Sequence, residues 1–396
     1  MELTTEQRDL RDAVRGLLAR HRRAGSAEPG ADGEPSERED PGASGGPGTG
    51  EGPRPGYDVP LWQRLCGEIG VAGLAIPERY GGAGAGPVET CIVIEELGRG
   101  LVPSPLLGSA VLAGQALLAS GDEQACQRLL PGIASGATVA ALAWAPQAGH
   151  WDPADPAFAA HGSGHVWVLT GEAHHVLDGD TAGVLLAAAR APDGTGLFEV
   201  DPVHPAVTRR AVTAMDTTRR LAVVALEGAP GRSVGPGAGI RALARARDLA
   251  CIALAAEQAG AARRALELTV AYTKTRVQFG RPIGGFQALQ HRMADLHVLV
   301  ESARSLCYAA AFAAADAEAD SGADSARLGM LAAAAKAHCS QALTRAAGQM
   351  IQLHGAIGIT WEHDAHRYFK RAHGTGQLFG RPEEHVARVA AALIDG

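Results

Sequence analysis

Two short segments in the C-terminal half carry the residue types best suited to chemistry. Arg276-Val277-Gln278-Phe279-Gly280-Arg281-Pro282-Ile283 separates two long Ala- and Leu-rich stretches of helical period. Arginine brings a forked set of donors and glutamine an amide. Both stand where a helix ends and backbone N–H groups become free, an arrangement that suits a phosphate. The same residues also suit a plain helix–helix turn, because Lys274 and Arg276 complement the negative end of a helix dipole. Spacing alone leaves the two readings equal. Gln352-Leu353-His354-Gly355-Ala356-Ile357-Gly358 follows another helical pattern and carries small residues that let a backbone approach a ligand closely. By itself it reads as a glycine-terminated helix.

Other constellations carry less. Gly82-Ala83-Gly84-Ala85-Gly86 has neither the preceding strand nor the following βαβ unit of a dinucleotide fingerprint, so it reads as a structural loop. His354, His363, His366 and His373 with Asp364 match no metal-ligand spacing, and no metal is expected.

Three blocks must position these segments. The chain of 396 residues is long for one simple domain. Apolar residues make up 46% and aromatic ones only 4%, with alanine prominent, a bias toward helix. An amphipathic helix is expected over about 4–22, with Leu10, Val14, Leu17 and Leu18 on one face. Residues 25–56 are mostly Gly, Pro, Glu, Ser and Asp with no large apolar side chain, and are read as a disordered insertion. Helical patterns resume at 61–70, 88–100, 105–119 and 122–134. The period then changes: 165–171, 183–189, 207–212 and 220–226 read as strands. Helical patterns return at 239–274, 285–318, 325–354, 361–372 and 382–394. The expected architecture is α+β and multidomain: a helical N-terminal domain over 1–136, a β domain over 137–236 and a helical domain over 237–396.

The net charge of −7 gives no reason to expect nucleic acid as a partner. No run of about 18 strongly apolar, uncharged residues is present, so a membrane span is not expected. The first residues carry neither a basic stretch nor an apolar run, so no secretory signal is expected. Six scattered cysteines, none in a Cys-x-x-Cys pair, suit a reducing cytosol, and a cytoplasmic protein is expected.

Read together and in order, three blocks resemble the acyl-CoA dehydrogenase family. GLAIPERYGGAGAGPVETCIVIEELGRGL at 73–101 is similar to its Gly-Leu-x-x-Pro-Glu-x-Tyr-Gly-Gly signature and the Glu-Glu-Leu-Gly helix after it. YTKTRVQFGRPIGGFQALQHRMADL at 272–296 is similar to its Arg-x-x-Phe-Gly block, and QLHGAIGITWEHDAHRYFKRA at 352–372 to its Gln-x-x-Gly-Gly-x-Gly block. The likeness spans nearly the whole chain except 25–56. It implies a helical N-terminal domain, a β-barrel-like middle domain and a C-terminal four-helix bundle. By position it implies that Arg276, Gln278 and Phe279 reach the FAD of a neighbouring subunit. Phe286 and Gln287 would lie on its adenine side, and Gln352, Gly355 and Ala356 near its pyrophosphate. An oligomer, homo- or heteromeric and built as a dimer of dimers, follows, as does electron transfer to an electron-transfer flavoprotein.

The implied reaction is α,β-dehydrogenation of an acyl-CoA or acyl-carrier thioester to the 2-enoyl product, in fatty acid or steroid metabolism. Its base is ordinarily a Glu before a Gly near the C-terminus; the matching residue here is Phe379. Some members carry the base on the helix that ends at Arg276, at a position aligning near Ala250. The carboxylate on that helix is Glu257, two turns further along the same face. Its helical neighbours Ala253, Leu254, Gly260 and Ala261 offer no partner, so an unpaired carboxylate with a raised pKa and the role of base is expected. Glu362 reads as a helix cap. In the middle domain, Ala143–Gly149 stands where the family has Thr-Glu-Pro-x-x-Gly-Ser, and His175-Val176-Leu177 where it has Trp-Ile-Thr beside the flavin ring. Two further readings follow from these departures: an inactive subunit that completes a partner's FAD site, and a flavin oxidase or monooxygenase on the same scaffold.

Overall fold

In the computed structural model, residues 3–26, 54–163, 166–317 and 322–394 are described. The stretch read as a disordered insertion therefore lies outside the described residues over 27–53, as does His165 of the first expected strand.

The described chain divides into two compact units. One comprises 94–102 and 247–394; the other comprises the described residues up to 93 together with 103–246.

In the second unit, α1 (Thr5–Ser26) opens on a capping box. The Gln7 N–H donates to Thr4 Oγ1 at 3.2 Å while the Thr4 N–H donates to Gln7 Oε1 at 3.1 Å. Val14, Leu17 and Leu18 are buried as the helical period requires. Asp58 caps α2 (Val59–Arg64) and Asp122 caps α5 (Glu123–Ala134), each through its carboxylate. Between them lie the N-terminal part of α3 (Pro87–Arg99) and α4 (Gly114–Ser120).

The sheet of this unit closes on itself. Its strands are β1 (Ala140–Ala143), β2 (Phe158–Ser163), β3 (Val166–Leu177), β4 (Val184–Ala191), β5 (Gly194–Val200), β6 (Val207–Val212) and β7 (Leu221–Val234). Following the pairs β4–β2, β2–β3, β3–β7, β7–β5 and β5–β4 returns to the start, which makes a small barrel. β1 joins parallel to β4, and β6 lies antiparallel on β7. Phe158, Leu169, Val176, Leu185, Phe198 and Val224, with Ala141 and Ala143 of β1 and Ala187 and Ala189 of β4, fill the interior. The four expected strands are present as parts of β3, β4, β6 and β7. β1, β2 and β5 escaped the sequence reading because their alanines and glycines carry no alternation of apolar and polar side chains.

The first unit is a helical bundle. It contains most of α6 (Gly239–Thr275), then α7 (Gln287–Asp316), α8 (Gly322–His354), α9 (Ala365–Gln377) and α10 (Pro382–Ile394). α8 packs against α7, α9 and α10. Ala261, Ala262 and Ala265 of α6 share one buried core cluster with Leu343, Ala346 and Ala347 of α8. α7 is long and apolar enough to cross a membrane by length and composition, but it lies in the bundle, where its Arg304 pairs with Glu95. The N-cap residue of α9 is Asp364, not Glu362, and it makes no side-chain cap hydrogen bond; the Ala365 N–H donates instead to His363 Nδ1 at 3.1 Å.

Candidate functional site

The Arg276–Ile283 segment is a projecting hairpin. β8 (Val277–Gln278) pairs antiparallel with β9 (Arg281–Pro282), and the Ile283 N–H donates to Arg276 O at 2.8 Å to close its base. The tip is Phe279-Gly280, both left-handed at φ 52° and 76°. Two consecutive positive φ values are what a tight two-residue hairpin demands. Glycine accepts this freely; for phenylalanine it is an outlier that costs on the order of 1–2 kcal/mol. Phe279 is nonetheless 91% exposed, so burial within this chain does not offset that cost. Its ring meets Phe286 edge-on with centroids 6.1 Å apart, and the Arg281 guanidinium lies 4.0 Å over Phe286. Arg276, Gln278 and Gln287 are exposed, and Phe286 is half-buried.

The second segment lies against the root of the first. α8 ends at His354, and Gly355 turns away at φ 66°. A Cβ placed on Gly355 would meet nothing within 4 Å, and Gln352 and Ala356 are exposed beside it. The Tyr272 ring stacks on His354 with centroids 4.3 Å apart, and its hydroxyl donates to His354 O at 3.3 Å. One turn on, the Arg276 N–H donates to Tyr272 O. Tyr272 thus joins the two segments, a link between distant stretches that the sequence reading missed. His354 Nδ1 donates to Met350 O at 2.7 Å, which leaves Nε2 as an acceptor; that atom is buried with no hydrogen-bond partner. Burial holds the His354 pKa below its ordinary value.

Glu257 corrects an expectation. It is not unpaired: Arg371 of α9 donates Nη1–H to Glu257 Oε1 at 2.6 Å, with both side chains buried. Its neighbours one turn away on the same helix are all small or apolar, whereas the partner stands 114 residues away along the chain. This carboxylate ties α6 to α9, and its charge is compensated inside the bundle.

Phe379 is fully buried and left-handed at φ 61°. Its carbonyl accepts from His385 Nε2 at 3.1 Å and from the Cys251 thiol at 4.0 Å.

In the other unit, β3 loses register between Ala173 and Val176, and this bulge ejects His174 and the left-handed His175. His174 Nε2 lies 2.8 Å from Glu172 Oε1. Just beyond, Asp178 is buried and left-handed. Burial pushes its carboxyl up to about 7, against Arg219 and Arg220 and with help from Asp180, which Arg220 grips through two nitrogens. A carboxyl whose native pKa lies above its ordinary 3.8 binds an extra proton in the folded state between those values. Its contribution to stability is therefore present in acid and lost as pH rises from about 4 to 7. Asp178→Asn is expected to be more stable than the parent at pH 8 and to lose the advantage at pH 4. Urea midpoints across that range test it, and parallel curves would contradict the assignment.

The comparisons agree with this architecture. Residues 51–137 match the profile described as acyl-CoA dehydrogenase, N-terminal domain, and 237–394 match acyl-CoA dehydrogenase, C-terminal domain. The protein named acyl-CoA dehydrogenase IpdE2 from Mycobacterium tuberculosis is 42% identical over 85% of this chain and 88% of its own length. Its namesake from Mycolicibacterium smegmatis is 40% identical over 86% and 89%. The chain belongs to the acyl-CoA dehydrogenase family. Among solved structures, the Tcur3481–Tcur3483 steroid ACAD superposes with a TM-score of 0.81 at 30% identity, covering 99% of this chain and 98% of that one. The ChsE4–ChsE5 complex of Mycobacterium tuberculosis gives 0.82 at 27% identity, covering 100% and 99%.

As an acyl-CoA dehydrogenase the chain is a flavoprotein oxidoreductase with FAD as cofactor. The residues fit that group. Arg276 and Gln278 are exposed and could donate to a phosphate, a Cβ on Gly355 would meet nothing within 4 Å, and His354 Nε2 is a buried acceptor with no hydrogen-bond partner.

Proposed function

We propose that this chain is the cofactor-completing subunit of a two-chain acyl-CoA dehydrogenase that desaturates an acyl-CoA thioester between its α and β carbons. Arg276, Gln278, Phe279, Phe286 and Gln287 hold FAD at the boundary with the other chain, and the Gln352–Ala356 loop lies against its pyrophosphate. When bound, FAD supplies the acceptor for the hydride leaving the β-carbon. Electrons then pass to an electron-transfer flavoprotein. The solved structures named as a steroid ACAD and as a two-protein complex support a bulky, ring-bearing acyl group and a heteromeric assembly.

One observation carries the division of labour. Glu257 is closed onto Arg371 inside the bundle, and the residue that the resemblance puts in the base's place is a buried phenylalanine. The α-proton is then taken by a carboxylate of the partner chain, desolvated so that its pKa approaches the working pH.

Purification of the tagged chain alone, and of the same chain with whatever it captures in its own host, tests the reading. The captured assembly should carry FAD that bleaches under argon with a steroid-side-chain acyl-CoA. The chain alone should not bleach. Bleaching by the chain alone, abolished in Glu257→Gln, would overturn the division and restore Glu257 as base. Rapid reoxidation by oxygen with release of peroxide would indicate an oxidase instead.

A further inference from the structure

Lys336 lies in the middle of α8 with no exposed surface. Its ammonium donates to Ser340 Oγ at 3.2 Å, to Gly376 O at 3.3 Å and to Gly380 O at 3.4 Å. All three acceptors are neutral, and among the described residues no carboxylate lies within ion-pair distance. The titratable groups that face it are Cys251 of α6, Cys339 of α8, and Glu383, Glu384 and His385 of α10. A buried cation held only by neutral oxygens is costly, and an apolar side chain of the same length would fold more favourably. The two carbonyls it binds bracket Phe379, the bulky residue whose left-handed backbone is strained. His385 and Cys251 hold the Phe379 carbonyl from two other helices. Side chains of α6, α8 and α10 thus converge on one strained turn.

We propose that Lys336 is a positioning residue: by tying the carbonyls of Gly376 and Gly380 to α8, it clamps the strained turn that keeps the Phe379 ring packed at the end of the bundle. The inference rests on the proposed function only for the claim that this turn borders the reaction site; the clamp itself stands on the distances. A structural lysine and a positioning lysine predict opposite combinations of effects. Burial lowers Lys336 from its ordinary 10.5 to about 8. The folded state therefore binds fewer protons than the unfolded one between those values, and stability rises with pH through that window.

Lys336→Met in the full chain is expected to raise Tm at pH 7 by about 2 °C or more. It should also abolish the parent's further rise between pH 8 and 10.5. Despite the gain, amide hydrogen exchange across 378–381 should become at least about tenfold faster, since the turn loses two of its anchors. Phe379→Gly removes the backbone strain, and in that background Lys336→Met should accelerate exchange much less. In the assembly captured from the host, Lys336→Met should slow bleaching and flatten its pH profile. A lower Tm with unchanged exchange would make Lys336 an ordinary structural donor and overturn the proposal. So would a higher Tm with unchanged exchange, because the turn would then hold itself. If the parent assembly fails to bleach, the proposed function falls, while the exchange measurement still decides the clamp.

Discussion

Arg371→Ala is expected to lower the stability of this chain by about 3–5 kcal/mol, the cost of leaving a buried carboxylate without its counter-ion. The two side chains are 3% and 9% exposed, and their closest atoms are 2.6 Å apart. Screening by added salt should therefore change the loss little, unlike that of a surface pair. Glu257→Gln keeps the shape and one acceptor, so it should cost less than Arg371→Ala while still removing the negative charge that faces the guanidinium. Replacing both partners with apolar residues of similar volume, Glu257→Leu with Arg371→Met, should recover most of the loss, because no uncompensated charge remains. Urea unfolding of the two single variants and the double one gives the coupling directly, provided the slope with denaturant stays constant. A loss below about 1 kcal/mol for Arg371→Ala would mean that the pair contributes no more than a surface contact. Glu257 would then be available for the catalytic role that the sequence reading gave it.

That pair also shows where sequence reasoning stops. The helical period of α6 to α10 was legible because apolar and small residues recur at 3–4-residue intervals over 13 residues or more. The hairpin at Arg276–Ile283 was legible as an exception to that period, flanked by helices and rich in forked donors. Its left-handed Phe279 was not, since nothing local announces that a bulky residue takes a conformation glycine prefers. Strands β1 and β5 were hidden because Ala-Ala-Leu-Ala becomes a strand by pairing with β4 and Gly-Thr-Gly-Leu-Phe by pairing with β4 and β7. The partners of Glu257, Lys336 and His354 belong to tertiary structure. Arg371, Gly376 and Tyr272 lie 40–114 residues away along the chain. A carboxylate with only small neighbours on its own helix can still meet a guanidinium from another. Charge at one position therefore said little about function until the bundle supplied the other side.

Gly260→Ala should be as damaging as the loss of Arg371, although it adds a single methyl group. A Cβ at 260 would stand 2.0 Å from Glu95 O, a backbone atom that no rotamer change can move aside. The crossing is tight from both sides, for a Cβ on Gly98 would stand 2.3 Å from Glu257 O. The segment of α3 at 94–99 therefore lies directly on the turn of α6 that carries Glu257. It cannot retreat easily, because Glu95 is held by Arg304 Nε at 2.7 Å and by the Tyr308 hydroxyl at 2.5 Å. Overpacking ordinarily costs about 1–3 kcal/mol; a clash with pinned backbone should exceed that and reach about 4 kcal/mol. Gly348→Ala in α8 is the matched control. A Cβ there meets nothing within 4 Å, so the change should stabilise by about 0.5–1 kcal/mol through helix propensity alone. Opposite signs for two Gly→Ala changes in neighbouring helices would show that close approach, not propensity, sets the position of Glu257. If Gly260→Ala is tolerated, α3 has slack, and the 2.6 Å pairing of Glu257 with Arg371 must then be maintained by α9 rather than by the α3 crossing.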